Sequence, residues 1–124
     1  MSDYLFVYGT LCRNGGHQMR RHLARHADYL ADGYFNGRLY RVAHYPGAVP
    51  SSRRADKVFG ELYRLRNPAA AFARLDAYEG RDFVRRKKRV YLADGRQMQA
   101  WVYLFRSALT TYARIASGRF TRQG

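Results

Sequence analysis

An abrupt stop constrains this chain more than any other feature. The strand-forming run Leu5-Phe6-Val7-Tyr8 meets Gly9, followed by the small hydroxyl residue Thr10 and then Leu11. Side chains of this kind favour a pleated sheet, and glycine accepts almost any backbone dihedral, so the chain can leave the sheet sharply. A strand that ends this way leaves the N–H groups of Gly9, Thr10 and Leu11 without ladder partners and able to converge. Converging N–H groups bind anions and developing oxyanions. A strand entering an ordinary turn is the alternative, and the stretch alone does not separate the two.

With 124 residues the chain has room for one domain, 1–124, built on one core. Its single cysteine, Cys12, excludes an intrachain disulfide, and no Cys/His cluster has the spacing of a structural zinc site. A reducing, cytoplasmic location is expected, because no apolar run approaches the length of a membrane span and the N-terminus enters a strand at once. Net charge is +14, from 23 Lys+Arg against 9 Asp+Glu. Such a balance fits an anionic partner, nucleic acid included, or simply arginine-rich solvated faces.

Along the chain, the apolar spacing predicts a short amphipathic helix over His17 to Ala27, with Leu23 and Ala27 on one side. His22 and His26 have the i,i+4 spacing of a metal pair, but the general-base glutamate of a zinc-protease helix is missing between them, so both are read as solvated. Tyr29 to Val42 reads as two extended segments broken at Asn36-Gly37, a hairpin. Tyr45 to Pro50 reads as a proline-fixed turn, and Ser51 to Asp56 as a mobile polar loop. Lys57 to Leu65 alternates as a strand, with Gly60 in its middle implying a bulge or a close backbone approach.

Asn67-Pro68 is a helix start, an asparagine cap before a proline at the first helical position, and the helix stops at Gly80. Its apolar stripe contains Phe72 and Leu75. Four residues further along that stripe stands Glu79, a carboxylate on the inward side of a last turn where the helix dipole is negative. Burial and dipole push such a carboxyl's pKa upward, towards a general base at neutral pH, while Arg81 would pull it back. A solvated glutamate at a helix end is the other reading.

Val84 to Leu92 and Gln97 to Phe105 form a hairpin turned at Asp94-Gly95. Five cations in a row, Arg85 to Arg89, cannot all face a core, so one face is wet or lies at an edge. Trp101, Tyr103 and Phe105 share one side as an aromatic wall. The tail holds a short helical or irregular piece around Tyr112 to Ile115.

The order of these pieces resembles the γ-glutamylcyclotransferase-like family, in particular its small γ-glutamylamine cyclotransferase-like branch. The resemblance rests on VYGTL (Val7 to Leu11), YPGAVP (Tyr45 to Pro50), VFGELY (Val58 to Tyr63), LDAYEG (Leu75 to Gly80), AWVY (Ala100 to Tyr103) and IASG (Ile115 to Gly118). It implies an α+β fold, a small, mostly antiparallel β-barrel with packed helices. It also implies that Tyr8, Gly9, Thr10 and Leu11 form the substrate-binding loop, that Glu79 is the catalytic acid/base, and that Tyr103 helps shape the pocket wall.

The implied reaction needs no cofactor or metal. The α-amino group of a γ-glutamyl amine or peptide attacks its own γ-carbonyl, closing a five-membered ring and releasing 5-oxoproline and the free amine. The loop amides would hold either the α-carboxylate or the oxyanion. Where the family often ends Ser-Gly-Asp-Trp, this chain reads Ser117-Gly118-Arg119-Phe120, which changes the charge of a piece that could line the pocket. Cys12 beside the loop is a further nucleophile candidate, without an evident histidine to activate it. The competing class is a non-enzymatic binding module whose basic face docks an acidic partner or nucleic acid.

Overall fold

Alternation along the long strands gives each an inward and an outward apolar face, and the sheet answers by closing on itself. A computed structural model of the protein describes residues 3–8, 18–42, 45–106 and 112–120. In chain order the elements are β1 (Tyr4–Val7), α1 (Gln18–His26), β2 (Ala27–Arg41), β3 (Pro46–Pro50), β4 (Lys57–Leu65), α2 (Pro68–Glu79), β5 (Phe83–Leu92), β6 (Gln97–Phe105) and β7 (Ala113–Arg114). Strands β2, β4, β1, β6 and β5 form a ring, closed where Gly33 and Tyr34 of β2 pair with Leu92 and Tyr91 of β5. The β1–β6 junction is parallel and the other ring junctions are antiparallel. Strands β3 and β7 pair with the far end of β2. The expected α+β barrel with packed helices is the fold observed.

Period-two alternation sorts the core into two clusters. Phe6, Tyr8, Phe35, Leu62, Val90 and Val102 are among the side chains that fill the barrel interior. Leu5, Val7, Tyr63 and Tyr103 point the other way and pack with Leu23 of α1 and with Phe72 and Leu75 of α2. Leu75 is fully buried, so Leu75→Ala would cost about 2–5 kcal/mol. The cap of α2 follows the sequence: the Asn67 side-chain oxygen accepts from the Ala70 N–H, and Gly80 ends the helix at φ 76°.

Three local expectations are corrected. Asn36-Gly37 is not a turn, because β2 runs unbroken from Ala27 to Arg41. At that point the strand changes partner, Asn36 pairing with Lys57 of β4 and Gly37 with Pro50 of β3. A side chain at 37 would meet the Val49 carbonyl oxygen at 2.6 Å, which is why glycine stands there. Pro46 to Pro50 is strand β3 rather than a turn, its two prolines at the ends of a strand paired with β2. The tail around Ala113-Arg114 is extended and pairs with Tyr40 and Arg41 instead of coiling.

The Ser51 to Asp56 segment is pinned at both ends rather than loose, the Ser51 N–H donating to the Asn36 carbonyl. Buried Asp56 accepts from Arg38, Ser51 and Arg114, and its backbone carbonyl accepts from the Gly37 N–H. Gly60 does mark a close approach: a Cβ there would collide with the Val7 carbonyl oxygen. The bulge in this strand pair lies instead in β2, between Tyr29 and Ala31.

Candidate active site

Glu79 is the last residue of α2, and its place follows from the helical stripe that carries Phe72 and Leu75 into the space between α2 and the barrel. It is half-buried. Burial raises its carboxyl from an ordinary 4.5 to about 7. Arg81, expected to pull that value back, is exposed, and burial is the cause of the rise.

The Glu79 charge is felt at Tyr103 of β6. Burial is the largest cause that pushes the Tyr103 phenol upward, followed by its hydrogen bond to Asp76 and the Asp76 charge, with the Glu79 charge adding in the same direction. The Tyr103 hydroxyl donates to Asp76 Oδ1 at 2.5 Å. Arg85 closes the arrangement from β5, donating through Nε to Oδ1 at 3.0 Å and through Nη2 to Oδ2 at 3.2 Å. Its guanidinium stands 4.1 Å from the Phe72 ring centre and 4.5 Å from that of Trp101. Burial alone would raise the Asp76 carboxyl, but Arg85 and the Tyr103 hydroxyl outweigh it, so the carboxyl lies below the usual range and stays ionised.

Asp76 and Arg85 escaped the sequence reading. Asp76 stands one helical turn before Glu79, and that i,i+3 spacing was the available signal. Arg85 was hidden as the first of five cations. The structure separates it from its neighbours: Arg85 is engaged with Asp76, while Arg86, Lys87 and Arg89 are exposed.

Tyr8 follows the last residue of β1 and points into the barrel. Its hydroxyl donates to the Tyr103 carbonyl at 2.5 Å and accepts from the Ala48 N–H at 3.2 Å. It also borders a cavity of about 780 Å³, together with Glu61, Arg119 and Phe120. The Tyr8 hydroxyl meets the backbone of Tyr103, whose side chain faces Asp76 and α2 on the other side of the sheet, and Tyr8 and the Arg119-Phe120 end piece border one cavity. Gly9, Thr10, Leu11 and Cys12, and the side chain of His22, lie outside the described residues. His26 is exposed. No described helix is long and apolar enough to cross a membrane.

With the geometry in place, relatives give it a context. The protein is 34% identical over 115 residues to the γ-glutamylcyclotransferase family protein YtfP of Escherichia coli K12, a match covering 92% of each chain. The solution structure of Escherichia coli ytfP superposes with a TM-score of 0.66 at 30% identity, covering 94% of this chain and 95% of that one. An AIG2-like protein of Mus musculus shares the fold at a TM-score of 0.80 and 19% identity, covering 98% of this chain and 90% of that one. Residues 5–122 match the model of the family described as γ-glutamyl cyclotransferase, AIG2-like, and the chain belongs to that family.

Proposed function

We propose that this protein is a γ-glutamyl cyclotransferase that acts on a γ-glutamyl amine or peptide, with Glu79 as general acid/base. Family membership supports γ-glutamylcyclotransferase-like chemistry. The observation that carries the finer reading is Glu79 itself, a half-buried carboxyl on the helix stripe whose pKa is raised to about 7, where a base both accepts and returns a proton at neutral pH.

In this reading Glu79 takes a proton from the substrate's α-ammonium. The freed nitrogen attacks the γ-carbonyl carbon, a C–N bond forms to close the ring, and the C–N bond to the amine breaks. Glu79 then returns that proton to the departing nitrogen, takes the second proton that the ring nitrogen sheds on becoming the lactam N–H, and passes it to the freed amine, which leaves as an ammonium, so no water, oxidant or cofactor enters the balance. The tethered nucleophile supplies much of the rate, because no second reactant has to be ordered. The Gly9-Thr10-Leu11 amides hold substrate oxygens. Tyr103, its own proton committed to Asp76, forms a fixed wall beside Glu79. The test is 5-oxoproline release from a panel of γ-glutamyl amines and peptides, wild type beside Glu79→Gln. No turnover by the wild type on any member overturns the enzyme reading, and turnover indifferent to the substitution overturns the mechanism.

A further inference from the structure

We propose that Asp76 and Arg85 are positioning residues for the reaction: their ion pair holds the last turn of α2 against the sheet and thereby keeps the Glu79 carboxyl in place and out of water. The inference rests on the cyclotransferase reading and adds to it the residues through which Glu79 is set. The last turn of α2 breaks a local rule, since Asp76 and Glu79 both stand where the helix dipole is negative and the turn carries no basic residue to offset them. Arg85 supplies the missing cation from β5 and spends it on Asp76, through Nε and Nη2 on the two carboxylate oxygens. The Phe72 and Trp101 rings hold the guanidinium in that one arrangement, and the Arg85 side chain is left only 21% exposed. The Asp76 side chain is 47% exposed, and an ion pair so open to water adds little to stability by itself. Its use is geometric.

Ties on both sides of Glu79 complete the clamp. One turn before it, the Tyr103 hydroxyl fastens Asp76 to β6. Just after it, Arg106 at the end of β6 donates its N–H to the Asp82 carbonyl at 2.7 Å and its Nε to the Arg81 carbonyl at 3.0 Å. The carboxyl therefore stands between two points where the chain is held to the same strand. The titratable and charged groups around this turn are Asp76 on α2, Tyr103 on β6 and Arg85 on β5, with Arg81, Asp82 and Arg106 exposed beyond the helix end. On α1, the described cations Arg21 and Arg25 are also exposed. Burial is the cause of the rise at Glu79, so whatever keeps this turn packed sets the base.

The experiment reads the Glu79 carboxyl directly, by NMR titration of protein labelled at the glutamate carboxyls, beside the pH profiles of kcat and kcat/KM. The chain has only two glutamates, Glu61 and Glu79, so Glu79→Gln assigns the signal. Arg85→Met keeps a stem between Phe72 and Trp101 and removes the cation. The titration should move down from about 7 towards 4.5 by at least about one pH unit, and the acid limb of kcat/KM should move with it. The plateau of kcat should fall about tenfold to a hundredfold with KM little changed, the scale of a misplaced reacting group. The sign discriminates, because a cation that acted on Glu79 only through space would, once removed, leave the carboxyl harder to ionise and move its titration up. Arg85→Lys, which keeps the charge and loses the two-point grip, should move the titration down by less, and is the second variant if Arg85→Met does not fold. On the kcat plateau, Asp76→Asn and Arg85→Met should not add, because the two residues act as one pair. A titration that stays or rises in the folded Arg85 variants, or full additivity with Asp76→Asn, would overturn the inference and leave the cyclotransferase reading standing. Absence of 5-oxoproline from the wild type on the whole panel would overturn that reading, and the inference with it, whatever the titration shows.

Discussion

Replacing Glu79 by Gln tests stability and chemistry at once, because one perturbation predicts two pH dependences. Its carboxyl titrates near 4.5 in the unfolded chain and near 7 in the fold. A raised carboxyl favours the protonated folded form. Below pH 4.5 both states hold the proton and the group costs nothing; as pH rises through 7 the fold must bear a poorly solvated anion. The gap of about 2.5 in pKa, at 1.36 kcal/mol for each, sets the cost at roughly 3 kcal/mol as an upper value above pH 7. Glu79→Gln removes that cost. Relative to wild type it should gain up to about 3 kcal/mol at pH 8, roughly 10 °C in Tm for a domain of this size, and almost nothing at pH 4.

Glutamine also brings an amide N–H₂ into a half-buried place, and an unsatisfied donor costs about 1–3 kcal/mol. That penalty does not vary with pH. The signature is therefore the slope of the stability difference between pH 4 and 8 rather than its value at either end. Thermal melts across this range measure it. For wild-type enzyme, kcat/KM should rise with pH through about 7 as the base form appears, and Glu79→Gln should lose about a hundredfold to ten-thousandfold of it. A stability difference flat in pH would refute the buried anion. A flat difference together with undiminished turnover would reduce Glu79 to a helix end.

Tyr103→Phe removes the donor to Asp76 and should cost about 1–3 kcal/mol by urea unfolding, with the Asp76 titration moving upward by NMR; unchanged values would show that the phenol contributes nothing. Gly60→Ala forces a Cβ against the Val7 carbonyl and should destabilise by at least about 1–3 kcal/mol, since backbone must shift; a variant melting like wild type would contradict the close approach. Binding of a polyanion to the exposed Arg86, Lys87 and Arg89 face should fall steeply with salt and vanish near physiological strength if the face serves solubility alone, and affinity that persists there would favour a real anionic partner.

What the sequence made legible was local. β4 begins and ends where its alternation does, α2 starts at its Asn-Pro cap and stops at Gly80, and the β5–β6 hairpin turns at Asp94-Gly95. The half-buried place of Glu79 was legible because a stripe spaced by four is fixed by helix geometry alone. The misread places depend on partners distant in sequence. Asn36-Gly37 has the chemistry of a turn, yet β4 on one side and β3 on the other hold it extended. Pro46 to Pro50 is straight because β2 is beside it, and Ala113-Arg114 for the same reason. The Asp76, Arg85 and Tyr103 arrangement spans a helix and two strands, so no window of sequence contains it.

Strand β1 and the residue after it join these parts mechanically. Leu5 and Val7 face the helices while Phe6 and Tyr8 fill the barrel, so four consecutive residues fix the position of α2 relative to the interior. Tyr8 then ties β6 to β3 through one hydroxyl, and β6 presents Tyr103 to Asp76, one turn before Glu79. The acidity of Glu79 is thus a property of how firmly the end of α2 is held down, because loosening it would admit water and return the carboxyl towards 4.5. Under the cyclotransferase reading this is the demand the chemistry makes. The substrate carries its own nucleophile, so the protein has no second reactant to orient. What it must supply is one base of matched pKa at a fixed distance from a bound glutamyl group, and a helix end anchored by Asp76 and Arg85 across two strands meets that demand.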